Sequence, residues 1–115
     1  MKTTILDLVQ RRDHVSFSEL AAMVPGFSGE FSLSIPDYPT IVLWPWLSEA
    51  GATALTELLR DHQIHMHVAD VMAYMADRGS IPALPLATGA KRYRSPRWLP
   101  VTFSTRPAAP AKTRR

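Results

Sequence analysis

Apolar residues at helical spacing predict a short helix at the start of the chain, over about residues 4–12. Ile5, Leu8 and Val9 fall on one face of this helix. Thr4 is the expected N-cap, since a threonine hydroxyl can accept a hydrogen bond from a free N–H group of the first turn. The segment is therefore expected to pack one apolar stripe against a core.

A second helix is predicted by a capping box. Ser16 can accept a hydrogen bond from the backbone of Glu19, and the Glu19 side chain can accept one from the backbone of Ser16. Val15 and Leu20 occupy the two positions of the matching hydrophobic staple. Pro25–Gly26 is expected to end the helix, because proline disfavours helical geometry in the residue before it.

The next segment has the pattern of a β-hairpin, over residues 30–44. Apolar residues and serines alternate over residues 31–35, which is typical of a half-buried strand. Residues 36–39 form a turn cluster rich in proline. Residues 40–44 are apolar and partly β-branched, which predicts a strand covered on both faces and ended by Pro45.

A third helix is predicted from Ser48 to about His62, followed by a second hairpin. Leucines and alanines recur at helical spacing between these two residues. Residues 64–68 then alternate between apolar residues and histidine, and residues 71–76 are apolar enough for a second strand. Residues 77–79 are expected to close this unit.

Six prolines punctuate the chain from Ile81 onward and argue against long helices there. Residues 97–103 are nevertheless too apolar for a plain linker, so we expect them to dock on the body as an extended segment. Disorder is expected from about Thr105. The predicted organisation is one domain over residues 1–104, with a body (1–87), a basic docking segment (88–104) and a disordered basic tail (105–115).

The order of these elements resembles the winged-helix superfamily over about residues 4–77. The resemblance rests on ILDLVQRR, SFSELAAMV and SEAGATALTELLRDH as its three helices and on IHMHVADVMAYMA as its wing. It implies an α+β winged-helix-like domain with three helices, a C-terminal wing hairpin and an extended basic tail. The hairpin inserted between helices 2 and 3 departs from the common pattern, in which a short turn stands there.

Composition narrows the class of protein. The chain has 115 residues and no cysteine, which fits one domain and excludes disulfide scaffolds and cysteine-based zinc modules. Its apolar runs are too short to cross a bilayer, and charged residues interrupt the N-terminal apolar patch. We therefore expect a cytoplasmic protein that has no membrane association and no signal peptide.

Charge is distributed unevenly along the chain. Residues 1–87 hold five Lys and Arg and all ten Asp and Glu, a net charge of −5. Residues 88–115 hold eight Lys and Arg and no acid, a net charge of +8. An acidic body with a basic arm is typical of proteins that bind nucleic acid. The same pattern also fits a solvated tail, or an arm that folds back onto the acidic body.

The segment KRYRSPRW interleaves cations with aromatic rings, which suits phosphate neutralisation and stacking on bases. The candidate nucleic-acid-binding residues are Lys91, Arg92, Tyr93, Arg94, Arg97 and Arg106. In the alternative interpretation, Tyr93 and Trp98 anchor the segment to the core while the arginines stay in water. DNA is favoured over RNA as the partner, and a homodimer is compatible with the sequence.

The third helix does not suit base reading. In DNA-binding winged helices this helix enters the major groove, but here it carries Glu49, Glu57 and Asp61 against Arg60 alone. An acidic surface is repelled by phosphates. This favours a second hypothesis, in which the protein is a winged-helix adaptor that docks another protein.

The adaptor would use the acidic third helix, with Glu49 and Glu57, or a surface around Trp44 and Trp46. Two tryptophans separated by one proline cannot easily both be fully buried, and tryptophan is favoured at interface hot spots. Ordinary core packing is the alternative explanation for this cluster.

Neither catalysis nor a cofactor is predicted. The sequence has no glycine-rich phosphate loop and no Gly-x-Ser-x-Gly or His-Glu-x-x-His motif. His65 and His67 point to one side of a predicted strand and are weak candidates for metal ligands. A polar stripe facing solvent explains the same alternation, so no metal site is predicted.

Overall fold

The protein has four helices and two three-stranded sheets in the part of the chain that its computed structural model describes, residues 1–75, 81–89 and 91–107. The helices are α1 (Lys2–Arg11), α2 (Phe17–Met23), α3 (Glu49–Arg60) and α4 (Val71–Met75). The strands are β1 (Val15–Ser16), β2 (Ser28–Ile35), β3 (Tyr38–Leu47), β4 (His65–Val68), β5 (Arg97–Trp98) and β6 (Val101–Ser104). Together they form a compact α+β domain, which confirms the predicted fold class at this level.

The first two predicted helices are both present, although α1 begins before its predicted start. In α2, the Ser16 hydroxyl accepts a hydrogen bond from the Glu19 N–H (3.1 Å), and the Glu19 carboxylate accepts one from the Ser16 N–H (3.3 Å). The capping box is thus confirmed. The predicted cap of the first helix is wrong, because the helix begins earlier: the Met1 carbonyl accepts the first helical bond, from the Ile5 N–H, and Thr4 lies inside the helix.

The predicted hairpin is confirmed as β2 and β3, but β3 continues through Pro45 to Leu47. Pro45 lacks an N–H group and would interrupt a continuous ladder. It is tolerated because it lies where the β2–β3 register is irregular, between the Leu33–Trp44 and Phe31–Leu47 pairs, so no regular ladder is interrupted there. Strand β5 pairs with β3 only at Ile41 and Val42.

The N-cap of α3 is the predicted Ser48, whose hydroxyl accepts a hydrogen bond from the Gly51 N–H at 2.9 Å. The helix ends at Arg60, two residues before the predicted His62. His62 has a positive φ of 58°, a left-handed conformation that ends a helix and that few residues adopt.

The predicted second hairpin is wrong, and a winged-helix arrangement is not confirmed. The segment expected to be the second strand, residues 71–76, forms α4 over Val71–Met75, while Ala76 and the predicted turn at 77–79 lie outside the described residues. Asp70 favours the helix, because its carboxylate accepts a hydrogen bond from the Met72 N–H at 2.9 Å as an N-cap does. Strand β4, which was expected to pair with residues 71–76, pairs with β6 instead.

The C-terminal apolar segment docks as predicted and becomes part of both sheets. Strand β6 lies between β1 and β4, antiparallel to each, and β5 runs parallel to β3 at the edge of the second sheet. The core therefore depends on residues that follow the acidic body in the sequence.

A cluster of aromatic rings joins the elements around Trp44 in the core. The ring centroid of Trp44 lies 5.4 Å from that of Phe17, 5.7 Å from that of Tyr74 and 6.3 Å from that of Trp98. These residues come from four different elements, so the cluster fixes the relative positions of those elements.

None of the helices in the described ranges is long and apolar enough to span a membrane.

Candidate nucleic-acid interface

The basic segment is held against the body by Trp98. This side chain is only 1% exposed, and its indole N–H donates to the Leu43 carbonyl at 3.2 Å. The Trp98 N–H donates to the Pro85 carbonyl at 2.9 Å, and the Trp98 carbonyl accepts from the Ala87 N–H at 2.8 Å. These contacts bring the two ends of the basic segment together, and we call its described residues, 88–89 and 91–97, the cationic loop.

Tyr93 forms hydrogen bonds across the cationic loop, to residues at its start. Its hydroxyl donates to the Gly89 carbonyl at 3.0 Å and accepts from the Thr88 N–H at 2.9 Å. The Arg97 guanidinium lies 4.7 Å from the centre of the Tyr93 ring and donates to the Leu86 carbonyl at 3.2 Å. Tyr93 and Arg97 thus shape the loop from within, whereas the anchoring interpretation has Tyr93 hold the segment to the core; of its two anchors, Trp98 makes the core contact.

The loop changes the acidity of Tyr93. Hydrogen bonding with the Thr88 side chain is the main cause that lowers the pKa of the Tyr93 phenol below its ordinary 10.0, against a smaller opposing effect of desolvation. The Thr88 backbone N–H and the nearby charges of Lys91 and Arg97 lower this pKa further.

Three cations of the cationic loop are available to a ligand. Lys91, Arg92 and Arg94 are exposed, and none forms an ion pair with another residue in the described ranges. Residues 81–107 contain no carboxylate side chain at all. The loop is therefore a site of uncompensated positive charge on a segment with fixed ends.

The cations elsewhere in the described residues are compensated. Lys2 pairs with Glu57 at 3.3 Å, Arg11 with Asp7 at 3.0 Å, Arg12 with Glu19 at 3.0 Å and Arg60 with Asp61 at 3.7 Å. Each lysine and arginine of residues 1–75 thus lies beside a carboxylate.

Arg106 also has a compensating partner. Its guanidinium pairs with Asp13, and its carbonyl oxygen lies 2.9 Å from Nε2 of His67. Its backbone N–H donates to the Ser104 hydroxyl at 3.0 Å. Residues 105–107, the described beginning of the expected tail, therefore continue from β6 with specific contacts, while residues 108–115 lie outside the described residues.

The residues of the predicted adaptor surface are separated by their burial. Trp44 is a core residue, 3% exposed, whereas Trp46 is 37% exposed and packs edge-on against Trp44 at a centroid distance of 5.2 Å. Glu49 is exposed in the first turn of α3, and Glu57 is half-buried beside Lys2. Of these four residues, only Trp46 and Glu49 are exposed.

The histidines form two ring pairs beside β4. His65 stacks against His62 at a centroid distance of 6.2 Å, and His67 lies edge-on to His14 at 5.0 Å. The two weak metal candidates, His65 and His67, thus have different neighbours. Among the described residues, no three His, Asp or Glu side chains come together in an arrangement that could hold a metal ion.

Two apolar surfaces are not predicted by the sequence, because each combines residues from distant elements. A pocket of about 350 Å³ adjoins the cationic loop and is lined by Ile35, Ile41, Val68, Ala87, Thr88, Gly89 and Leu99. A groove of about 410 Å³ runs between β2, α3 and β4, with Leu33, Leu59 and Met66 in its walls. No local motif marks either surface.

Comparisons with known protein families, with curated proteins and with solved structures found no match for this chain.

Proposed function

We propose that the protein binds nucleic acid without catalysing a reaction, and that the cationic loop supplies the phosphate contacts. The observation that carries this proposal is the group of three exposed cations, Lys91, Arg92 and Arg94, which have no ion-pair partner among the described residues. Such cations bind phosphates by releasing the counterions condensed on the nucleic acid.

The loop suits this role because its conformation is set before binding. Trp98 and Tyr93 hold it through buried and backbone contacts, so less conformational entropy is lost when phosphates bind. An ion-paired cation would have to give up its carboxylate first, and these three need not.

The third helix is not the proposed reading element. Its apolar face is buried in the core, and its charged residues Glu57 and Arg60 are engaged with Lys2 and Asp61. Contacts from a loop to phosphates carry little sequence information. We therefore propose an accessory or regulatory protein with weak base preference, and the winged-helix relationship stays a prediction.

The proposal is tested by neutralising the three loop cations together. The variant Lys91→Gln/Arg92→Gln/Arg94→Gln is compared with Lys2→Gln/Arg11→Gln/Arg60→Gln, which removes one lysine and two arginines that are ion-paired. Both variants lose the same net charge. Binding to labelled duplex DNA, single-stranded DNA and RNA is followed by fluorescence anisotropy at low salt.

We expect the loop variant to lose at least about tenfold in affinity for the nucleic acid that binds best, and the control variant to lose much less. Equal losses in the two variants would show that only net charge matters. Absence of binding by the unsubstituted chain to all three ligands would overturn the proposal.

Protein docking is the second candidate function, and the groove between β2 and α3 favours it. Strand β2 is an edge of its sheet. Phe31 on this strand is 48% exposed and lines a further pocket of about 310 Å³ between β2 and α3, which shares Leu33 with the groove. An exposed edge with apolar side chains can accept an added strand from a partner. A partner found by affinity capture should be lost on Phe31→Ser or Trp46→Ala and kept in the loop variant.

A further inference from the structure

The apolar pocket beside the cationic loop indicates which form of nucleic acid the protein binds. We propose that the ligand is single-stranded, and that one unstacked base enters this pocket while neighbouring phosphates contact Lys91, Arg92 and Arg94. This inference rests on the proposed function. It adds a base-binding site to a surface that otherwise contacts phosphates alone.

The pocket has the size and lining that a base requires. Its volume of about 350 Å³ lies at the lower end of the range for small-molecule sites, roughly 300–1,000 Å³, and leaves room for one planar group. Aliphatic side chains from Ile35, Val68 and Leu99, which are half-buried or exposed, form its walls. Thr88 also lines the pocket, and its hydroxyl lies 3.4 Å from the Tyr93 hydroxyl.

The cations begin at the rim of the pocket. Gly89 lines it, and the Lys91 N–H donates to the Gly89 carbonyl at 3.0 Å. A methyl group built on Gly89 would lie 4.0 Å from Cε of Lys91, so the lysine side chain runs past this edge. A base in the pocket would therefore have its own backbone phosphates near the ammonium group.

The cationic loop gives the strand a direction of approach. The side of the pocket formed by residues 87–89 leads into this loop. Cations attract phosphates. The backbone is thus expected to lie over the loop side, with the base directed inward.

A duplex does not suit this arrangement. Bases in a double helix are stacked and paired, and extruding one costs free energy that is least for a strand that is already single. Proteins that bind unpaired nucleic acid combine a cationic groove with side chains, commonly aromatic, against which the bases pack. Here the cationic loop supplies the charge, and the adjoining aliphatic pocket is the proposed place for a base.

The test compares a 12-nucleotide thymidine strand with a strand of equal length in which every nucleotide is abasic. Both carry the same phosphates, so cation contacts alone would bind them equally. For the unsubstituted chain we expect the abasic strand to bind roughly fivefold more weakly or worse, and a duplex of the same length to bind more weakly than the thymidine strand.

Two substitutions locate the effect at the pocket. Ala87→Ile fills it, and Val68→Gln makes its rim polar at a side chain that is 75% exposed and whose replacement should leave the core intact. Both are expected to reduce affinity for the thymidine strand toward that of the abasic strand, with unchanged affinity for the abasic strand. Thermal melting and circular dichroism check that each variant is folded.

The outcomes separate this inference from the proposed function. Equal binding of thymidine and abasic strands, lost in the loop variant, would overturn the base pocket and leave the phosphate contacts in place. Preference for the duplex would also overturn it. Binding that is unaffected by the loop variant would remove both proposals.

Discussion

At the scale of single residues, Tyr74 shows how a side chain from a short helix completes the core. Its hydroxyl donates to the Val101 carbonyl at 2.5 Å and accepts from the Phe17 N–H at 3.0 Å. The ring is fully buried and packs edge-on against Trp98 at 5.1 Å. One phenol thus connects α4, α2 and β6 and satisfies two buried backbone groups.

Removing this hydroxyl with Tyr74→Phe is expected to lower the free energy of unfolding by about 1–3 kcal/mol. The ring still fills its site, but a buried N–H and a buried carbonyl lose their partner. Urea unfolding followed by tryptophan fluorescence measures the change. Tyr38→Phe, at a half-buried tyrosine in β3, is the control and is expected to have little effect; equal effects of the two substitutions would contradict this role of Tyr74.

Tyr93 is expected to ionise at a lower pH than an ordinary tyrosine. The lowered pKa has the Thr88 hydrogen bonds as its main cause, with the charges of Lys91 and Arg97 added. Above this pKa the phenolate cannot donate to Gly89 and cancels one positive charge of the loop, so affinity for nucleic acid should fall on the alkaline side, starting below pH 10. A ¹³C-NMR titration of labelled tyrosines measures the pKa. Thr88→Val removes the side-chain hydrogen bond and should raise the pKa toward 10; no change in that variant would show that the Thr88 side chain does not control it.

At the scale of elements, the sequence predicted the features that depend on contacts between residues close together in the chain. The Ser16 and Ser48 caps act within one turn of helix, so their residue types are informative by themselves. The fate of residues 71–75 and the passage of β3 through Pro45 depend on which strands lie beside them. Those pairings join residues far apart in sequence, and apolar periodicity does not encode them.

Among these pairings between distant residues, those of strand β6 matter most for the fold. The sequence predicted an extended docking segment, yet β6 is the central strand of its sheet and contributes the fully buried Val101 and Phe103 to the core. A chain ending at Ala87 is therefore expected not to fold, whereas a chain ending at Pro107 keeps every described core residue. Circular dichroism and melting measure both truncations; a cooperative transition in the shorter chain would contradict this position of β6.

At the scale of the whole molecule, charge is organised by pairing more than by sequence position. The cations of α1 and α3 and Arg106 have carboxylate partners, while those of the cationic loop have none among the described residues. The sequence identified Lys91, Arg92 and Arg94 as candidates because cations and aromatic residues alternate there. It could not distinguish them from Arg106, whose partner Asp13 is 93 positions away, and it could not place the apolar pocket beside them.

The most direct test of the central claim is the salt dependence of binding to single-stranded DNA. The slope of log K against log salt concentration counts the phosphates neutralised, at about 0.7 per contact for single strands. Lys91→Gln/Arg92→Gln/Arg94→Gln is expected to reduce the magnitude of this slope by about 2 relative to the unsubstituted chain, with little change for Lys2→Gln/Arg11→Gln/Arg60→Gln. An unchanged slope in the loop variant would contradict the assignment of the phosphate contacts to the cationic loop.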